Sequence, residues 1–303
     1  MALGLSYLPA DIRNAGLDAV NPLKIKAGTD IGHYTIGPSA EGKINASVIT
    51  TNDSRLRNRP IAVDFLGTVK MLDTEKVTVL QKLQNIGVGD NNLIWQLASG
   101  QAFQAQMGCK WKFVCDSDMD KDRYIEFTGD CKYLINKGAS SEVDWAAITG
   151  SPTPGTPNVG DALYTWNTPG LNTNAIFPAG FKQFSIKKAT DGSYEDTGVI
   201  RNGKLTAELL TVKDSHGRSY GHSIKITVEC ECMQTSAETA ILANEGVAID
   251  YKITLVDATV FTLASTLGIK WEWHNDTDAD GVAFIKYSGV GVVLPSAWAG
   301  LIS

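Results

Sequence analysis

Residues Lys110–Leu134 read KWKFVCDSDMDKDRYIEFTGDCKYL, and residues Lys270–Leu294 read KWEWHNDTDADGVAFIKYSGVGVVL. Laid over one another at a shift of 160, the two stretches share eight of 25 positions: Lys110/Lys270, Trp111/Trp271, Asp116/Asp276, Asp118/Asp278, Asp120/Asp280, Ile125/Ile285, Gly129/Gly289 and Leu134/Leu294. Each has alternating apolar residues on two arms and an acidic middle, which is the pattern of a hairpin. Cys109, Trp111 and Phe113 fall on one face of the first arm, and Ile125, Phe127 and Gly129 on one face of the second. The acidic stretch Asp116–Asp122 is expected to form the turn.

A second match lies upstream in the same order. Gly42-Lys43-Ile44-Asn45-Ala46 meets Gly203-Lys204-Leu205-Thr206-Ala207 at a shift of 161, and the match runs on through Thr50/Thr211, Asp53/Asp214 and Ser54/Ser215. Two collinear blocks at nearly one spacing are the mark of an internal repeat. The chain divides accordingly into an N-terminal arm (1–26), copy one (27–136), a connector (137–178), copy two (179–295) and a C-terminal tail (296–303). The connector is rich in Pro, Gly, Ser and Thr, a composition that ends regular structure and lets two copies lie side by side.

Within each copy the periodicity is two. Ile224, Ile226, Val228, Cys230 and Cys232 share one face of a strand, against Lys225, Thr227, Glu229 and Glu231 on the other. Ile61, Val63 and Phe65 are expected to do the same in copy one, and Ile249, Tyr251, Ile253 and Leu255 later in copy two. One polar and one apolar face describe a half-buried antiparallel strand. One helix is expected per copy. Asp73 caps a segment in which Val77, Leu80 and Leu83 share a face and which ends near Gly87; in copy two Thr235 and Glu238 form a capping box, closed by Gly246. The fold class read from these patterns is mainly β: two tandem β-sandwich or flattened-barrel domains, each with one flanking α-helix.

Composition limits the function. Of 303 residues, 43% are apolar and 20% charged, as in folded globular chains, and the net charge of −6 disfavours a clamp on nucleic-acid phosphates. No apolar run reaches the roughly 18–20 residues of a membrane-spanning helix, and the N-terminus lacks the basic and apolar segments of a signal peptide. The run Asp116-x-Asp118-x-Asp120-x-Asp122 fails as a calcium loop, because Lys121 stands where Gly is required and Phe127 where a bidentate Glu is required. His33, His216, His222 and His274 have no metal-ligand spacing, no nucleophile or phosphate-loop motif is present, and neither catalysis nor a cofactor is expected. Cys230 and Cys232 read as buried thiols; Cys109 and Cys131 share an apolar face, so a disulfide between them is left open. The apolar ends LGLSYLPADI and SAWAGLIS either cover the chain's own core or dock on a neighbouring subunit.

A strand beginning GK[IL]xA at Gly42 and Gly203, a TxxDS turn at Thr50 and Thr211, and a capped helix after the second strand resemble the tail-tube fold of bacteriophages, here present twice. The resemblance is one of architecture and covers Ala27–Asn136 and Ala179–Pro295. It implies a structural virion protein, made in the host cytoplasm, whose homotrimeric rings place six domains around a pore and stack into a tube. The partners implied are further copies of the chain, other tail proteins such as a terminator, baseplate, tip or sheath, and DNA sliding past an acidic and neutral lining without specific binding. Contacts between rings or subunits are implied at Asn52, Asp53, Arg55, Arg57 and Arg59 in copy one, at Lys213, Asp214, His216 and Arg218 in copy two, and at Trp298. Two other readings stand beside it: a tail terminator or baseplate ring, and a tandem carbohydrate-binding or adhesin-like module with Trp111/Trp271 and Phe113/Trp273 as a sugar platform.

Overall fold

The computed structural model describes residues 17, 23–27, 32–36, 39–72, 77–89, 91–96, 102–116, 123–134, 162–165, 180–188, 192–215, 217–233, 249–263, 268–275 and 283–303. The chain is mainly β. Its strands are β1 (Leu23–Ala27), β2 (Gly32–Ile36), β3 (Ser39–Asn52), β4 (Asn58–Leu72), β5 (Asn91–Gln96), β6 (Ala102–Asp116), β7 (Tyr124–Leu134), β8 (Ala162–Thr165), β9 (Phe181–Lys188), β10 (Glu195–Asp196), β11 (Ile200–Lys213), β12 (Ser219–Met233), β13 (Ile249–Leu255), β14 (Val260–Leu263), β15 (Gly268–Asn275) and β16 (Ala283–Val293). Among the described residues two short helices, α1 (Val77–Lys82) and α2 (Pro295–Trp298), accompany them, and a 3-10 turn (Ala299–Leu301) follows α2.

One pairing scheme occurs twice. In the first half β3 pairs β4, β4 pairs β7 and β7 pairs β6; in the second half β11 pairs β12, β12 pairs β16 and β16 pairs β15. The registers coincide as well as the order. Ile44 faces Gly67, which faces Gly129, which faces Cys109; Leu205 faces Val228, which faces Gly289, which faces Ile269. Both long hairpins carry irregularities at the same two places, Ser39/Glu41 with Ile200/Asn202 and Ile49/Thr50 with Leu210/Thr211. A second layer repeats too. The order β2-β1-β5 with the N-terminal half of β6 is matched by β10-β9-β13-β14, every pairing antiparallel.

The strands form where apolar residues alternate, and their inward faces meet between the layers. Ile224, Ile226, Val228, Cys230 and Cys232 are buried, while Lys225 and Glu229 are exposed. In the first half Trp95 of β5 lies flat on Gly67 and Gly129: a Cβ on Gly67 would stand 2.3 Å from the indole, so a side chain there would expel the ring. In the second half Phe181 covers Gly203 in the same manner, and Phe184 meets Tyr287 at 5.1 Å between centroids.

Several expectations needed correction. Ile61 is 37% exposed while Ala62 is buried, because the bulge opposite Ile49/Thr50 inserts Ile61 as an extra residue. Pro60, which has no N–H to give to a ladder, sits at that irregularity. Helix α1 is short, with Leu80 and Leu83 fully buried and Gly87 at φ +87° closing the segment. Its expected cap Asp73, the copy-two helix from Thr235 to Gly246 and the acidic stretch at 117–122 lie outside the described residues, as do residues 137–161 and 166–179 of the connector. Cys109 is a free, buried thiol, so it forms no disulfide with Cys131.

The apolar interior is continuous across the two halves. Trp111 meets Trp298 at 5.4 Å, Trp298 meets Phe261 at 6.0 Å, and Phe261 stacks on Phe113 at 6.0 Å. The Trp298 indole donates to the Leu80 carbonyl (2.7 Å), Gln81 donates to the Ile302 carbonyl (2.8 Å), and Ser303 and Val260 exchange two backbone hydrogen bonds. The C-terminal tail therefore closes the chain's own core. Trp298, expected at a subunit contact, is fully buried within the chain and presents no surface.

Candidate assembly surface

The two long hairpins end in the same turn. Asp53 accepts the backbone N–H groups of Arg55 (2.8 Å) and Arg57 (3.0 Å) on one oxygen and the Arg57 Nε–H (2.9 Å) on the other. Asp214 treats Arg218 likewise, accepting its N–H (2.9 Å) and Nε–H (2.9 Å), with a second guanidinium nitrogen at 2.8 Å. The carboxylate locks the chain reversal, and the fork of the arginine holds the carboxylate in turn. The position between them needs a left-handed backbone, at φ +69° in Gly217 and φ +60° in Leu56. Leu56 thus carries a bulky side chain where glycine is at ease, and that side chain is 82% exposed.

The halves are joined edge to edge. The C-terminal part of β6 pairs antiparallel with β11, with Lys112 opposite Glu208, Phe113 opposite Ala207, Val114 opposite Thr206, Cys115 opposite Leu205 and Asp116 opposite Lys204. An ion pair spans the last of these (Lys204 Nζ to Asp116, 3.3 Å). The far end of the β11–β12 hairpin then laps over the neighbouring half. Asp130 lies on the outward face of β7, where Glu126 and Thr128 are only half-buried, yet it is just 5% exposed. It accepts the Ser219 N–H (2.7 Å) and hydroxyl (2.6 Å), and Lys213 Nζ stands 3.3 Å away. Gly108, directly opposite Asp130, makes room for this overlap: a Cβ there would lie 2.0 Å from the Ser219 nitrogen. Deeper in the seam Arg123 and Asp257, 1% and 2% exposed, form a 2.9 Å ion pair, and Asp257 also accepts from Thr259. Gly221 donates to the Gly87 carbonyl at 2.7 Å.

Among the described residues β8, β10 and β14 end their sheet orders, and two further strands of the large sheet have one partner each. Among the described residues β3 pairs only with β4 and β15 only with β16. These strands occupy the places of β11 and β6 in the repeated scheme, and β11 and β6 pair with one another. Along β3, Leu17 lies close to Gly42. Gly42 is exposed and Ile44 half-exposed, whereas their counterparts Gly203 and Leu205 are buried.

The outward face of the large sheet carries a row ordered by charge, beside the exposed apolar side chains of Leu66, Val290 and Val292. Pairing places Glu41, Lys70, Glu126, Lys112, Glu208 and Lys225 side by side on six successive strands, three acids and three bases in strict alternation. Opposite charges facing across strands contribute roughly 0.2–1 kcal/mol each.

The residues expected at contacts divide clearly. Asn52, Arg55 and Arg57 are exposed at the first tip, and Asp53 is partly covered as its lock. Lys213 and Arg218 belong to the lap over the other half, with Asp214 as the lock there. His216 and the Arg59 side chain lie outside the described residues, and Trp298 is interior. Sequence reading missed Asp130, Ser219 and Gly108. The available signal was Gly108/Gly268, a glycine shared at the shift of 160 but two residues before the matched block.

Burial and pairing move the thiol and phenol groups in different directions. Burial, with the Asp130 charge adding to it, pushes the Cys109 thiol far up, and burial does the same to the Tyr251 phenol. Cys230 and Cys232 lie 3.4 Å apart, and their hydrogen bond raises Cys230 well above the ordinary range and lowers Cys232. Among the described residues no group of three or more His, Cys, Asp or Glu side chains is arranged to hold a metal, and no helix is long and apolar enough to cross a membrane. Neither a protein-family model nor a curated protein sequence matches this chain.

Proposed function

We propose that the chain is a structural ring subunit, two copies of one domain in tandem, three chains of which close a ring that stacks into a hollow tube of the bacteriophage tail-tube kind. One observation carries the reading: β3 and β15, each paired on one side only among the described residues, are the counterparts of the two strands the chain already joins at β11 and β6. A subunit whose free edges are complementary makes head-to-tail contacts, and such contacts either close a ring or run on as a filament. Closure also removes the edges that would otherwise recruit stray strands. Six domains from three chains would surround the pore. The outward face then lines the lumen, with its alternating Glu and Lys row in place of the acidic and neutral lining that the resemblance implies. A lining neutralised within itself offers DNA no net attraction, and the role needs no cofactor or catalytic group.

Electron microscopy over a concentration series, with native mass measured in parallel, tests this. Rings or tubes of three chains per layer support it; a monomer at every concentration refutes it. A tail terminator or baseplate ring would show the same closed trimer but never stack. The sugar-binding reading requires exposed aromatic faces; Trp111 and Phe113 are buried, and the side chains of Trp271 and Trp273 lie outside the described residues.

A further inference from the structure

The seam inside the chain specifies the seam between chains. Each element of the β6–β11 junction has a counterpart on the open edges at the shifts that superimpose the two halves, 160 for β6 and β7 and 161 for β11 and β12. Transferring the register residue by residue places Glu272 opposite Ser47, Trp273 opposite Ala46, His274 opposite Asn45 and Asn275 opposite Ile44. The overlap transfers as well. Gly108 lies opposite Asp130 and admits the Ser219 backbone; Gly268 lies opposite Val290, and the residue corresponding to Ser219 is Asn58.

Exposure supports the transfer. Asp130 and Val290 hold the same place on the outward face, beside the equivalent glycine. Asp130 is covered by the hairpin of the other half and is 5% exposed, whereas Val290, with no hairpin over it among the described residues, is 53% exposed. An apolar side chain left open next to a glycine, with Val292 56% exposed two residues on, fits the end of a second copy's β3–β4 hairpin. The ion pair of the inner seam, Lys204 with Asp116, has sequence counterparts in Lys43 and Asp276, the latter directly following β15 outside the described residues.

We infer that β15 of one copy pairs antiparallel with β3 of the next in this register, and that Gly268 and Val290 form a slot covered by the neighbour's hairpin end at Asn58. The occupant is a second copy of this chain. The inference rests on the ring reading and adds to it a register and a slot.

The test uses the full chain with Asn45→Cys and His274→Cys together, oxidised mildly and resolved by denaturing electrophoresis without reductant. Residues facing one another across an antiparallel pair have Cβ atoms about 4.5–5.5 Å apart, within disulfide reach. Covalent dimers and trimers are expected from this pair. They should be about tenfold fewer from Asn45→Cys with Glu272→Cys, which stands two residues out of register. Either cysteine alone should give none. In parallel, Gly268→Val should abolish the trimer by native mass, while the far-ultraviolet spectrum and melting temperature of the dissociated chain stay close to wild type. Trimers that cross-link better in the shifted pair, or a Gly268→Val chain that assembles like wild type, overturn the register or the slot and leave the ring standing. A wild-type chain that never assembles overturns both.

Discussion

Asp130 offers the sharpest test of how the two halves are held together. Replacing it with alanine removes two acceptors from Ser219, whose residue is fully buried, and strands a backbone N–H and a hydroxyl away from water. Leaving a buried donor unsatisfied costs about 1–3 kcal/mol. The Lys213 ammonium contributes little, since that side chain is 59% exposed and solvent screens it, so its part is at most about 1 kcal/mol. The sum expected for Asp130→Ala is about 2–4 kcal/mol. Asp130→Asn, which keeps one acceptor oxygen, should cost about half as much, and Lys213→Ala well under about 1 kcal/mol. Urea denaturation under conditions that keep the chain dissociated measures all three, with the slope of the transition checked for constancy. A double-mutant cycle with Ser219→Ala should return a coupling of about 1–2 kcal/mol for the pair. If Asp130→Ala shifts stability by less than about 0.5 kcal/mol, the overlap is mere contact and the seam is held by its strand pairing and core alone.

Trp111→Ala should destabilise the chain by about 3–5 kcal/mol, because the indole is buried and donates to the Ile86 carbonyl; a loss below about 1 kcal/mol would revive an exposed platform. Arg123→Ala leaves Asp257 charged and buried, and a comparable loss of about 3–5 kcal/mol is expected by thermal or chemical denaturation. Leu56→Gly should stabilise the dissociated chain by about 1 kcal/mol and Gly217→Leu should destabilise it by a similar amount, since both positions have positive φ; equal effects of one sign would refute the turn equivalence. The Cys109 thiol and Tyr251 phenol are held above their ordinary values of 9.0 and 10.0, so the folded chain keeps these protons where the unfolded chain loses them. Their stabilisation is therefore full below pH ~9 and declines as pH rises, by about 1.4 kcal/mol per pH unit for each group; a Cys109→Ala chain should lose the earlier part of that slope.

Much of this was legible in the sequence because it resides in spacing. The repeat, the alternation at Ile224–Cys232 and the turns at Asp53 and Asp214 are local, so each is written in a short run of residues. Ile61 was misplaced because a bulge is a property of two strands at once, and one strand read alone gives no sign that it carries an extra residue. Trp298 was placed on the wrong side of an even choice, since an apolar tail reads the same whether it covers its own core or a neighbour's. Asp130 was invisible for a related reason: an acid on the polar face of a strand is ordinary until a hairpin from another part of the chain closes over it. The match of Gly108 with Gly268 did carry information, but its meaning is steric and appears only when Ser219 is in place against the first of them.

Under the proposed assembly, the inner and outer seams face different demands, and their chemistry differs accordingly. The inner seam forms once, within a single chain, so it can bury Arg123 against Asp257 and Asp130 against Ser219, groups whose partners are always close at hand. The outer seam must remain soluble while its partner is still in solution. Buried charge on that side would be exposed or unpaired before every encounter, and an open apolar strand would take any partner. The edge of β3 answers with Glu41, Lys43, Asn45 and Ser47, all exposed, and β15 keeps its edge to eight residues. Recognition then falls to shape: a glycine where a backbone must approach, the exposed Val290 beside it, and a hairpin locked by Asp53 and Arg57 so that its end arrives already formed. Two seams of one geometry but opposite polarity are what a chain requires if it is to fold alone and assemble only with itself.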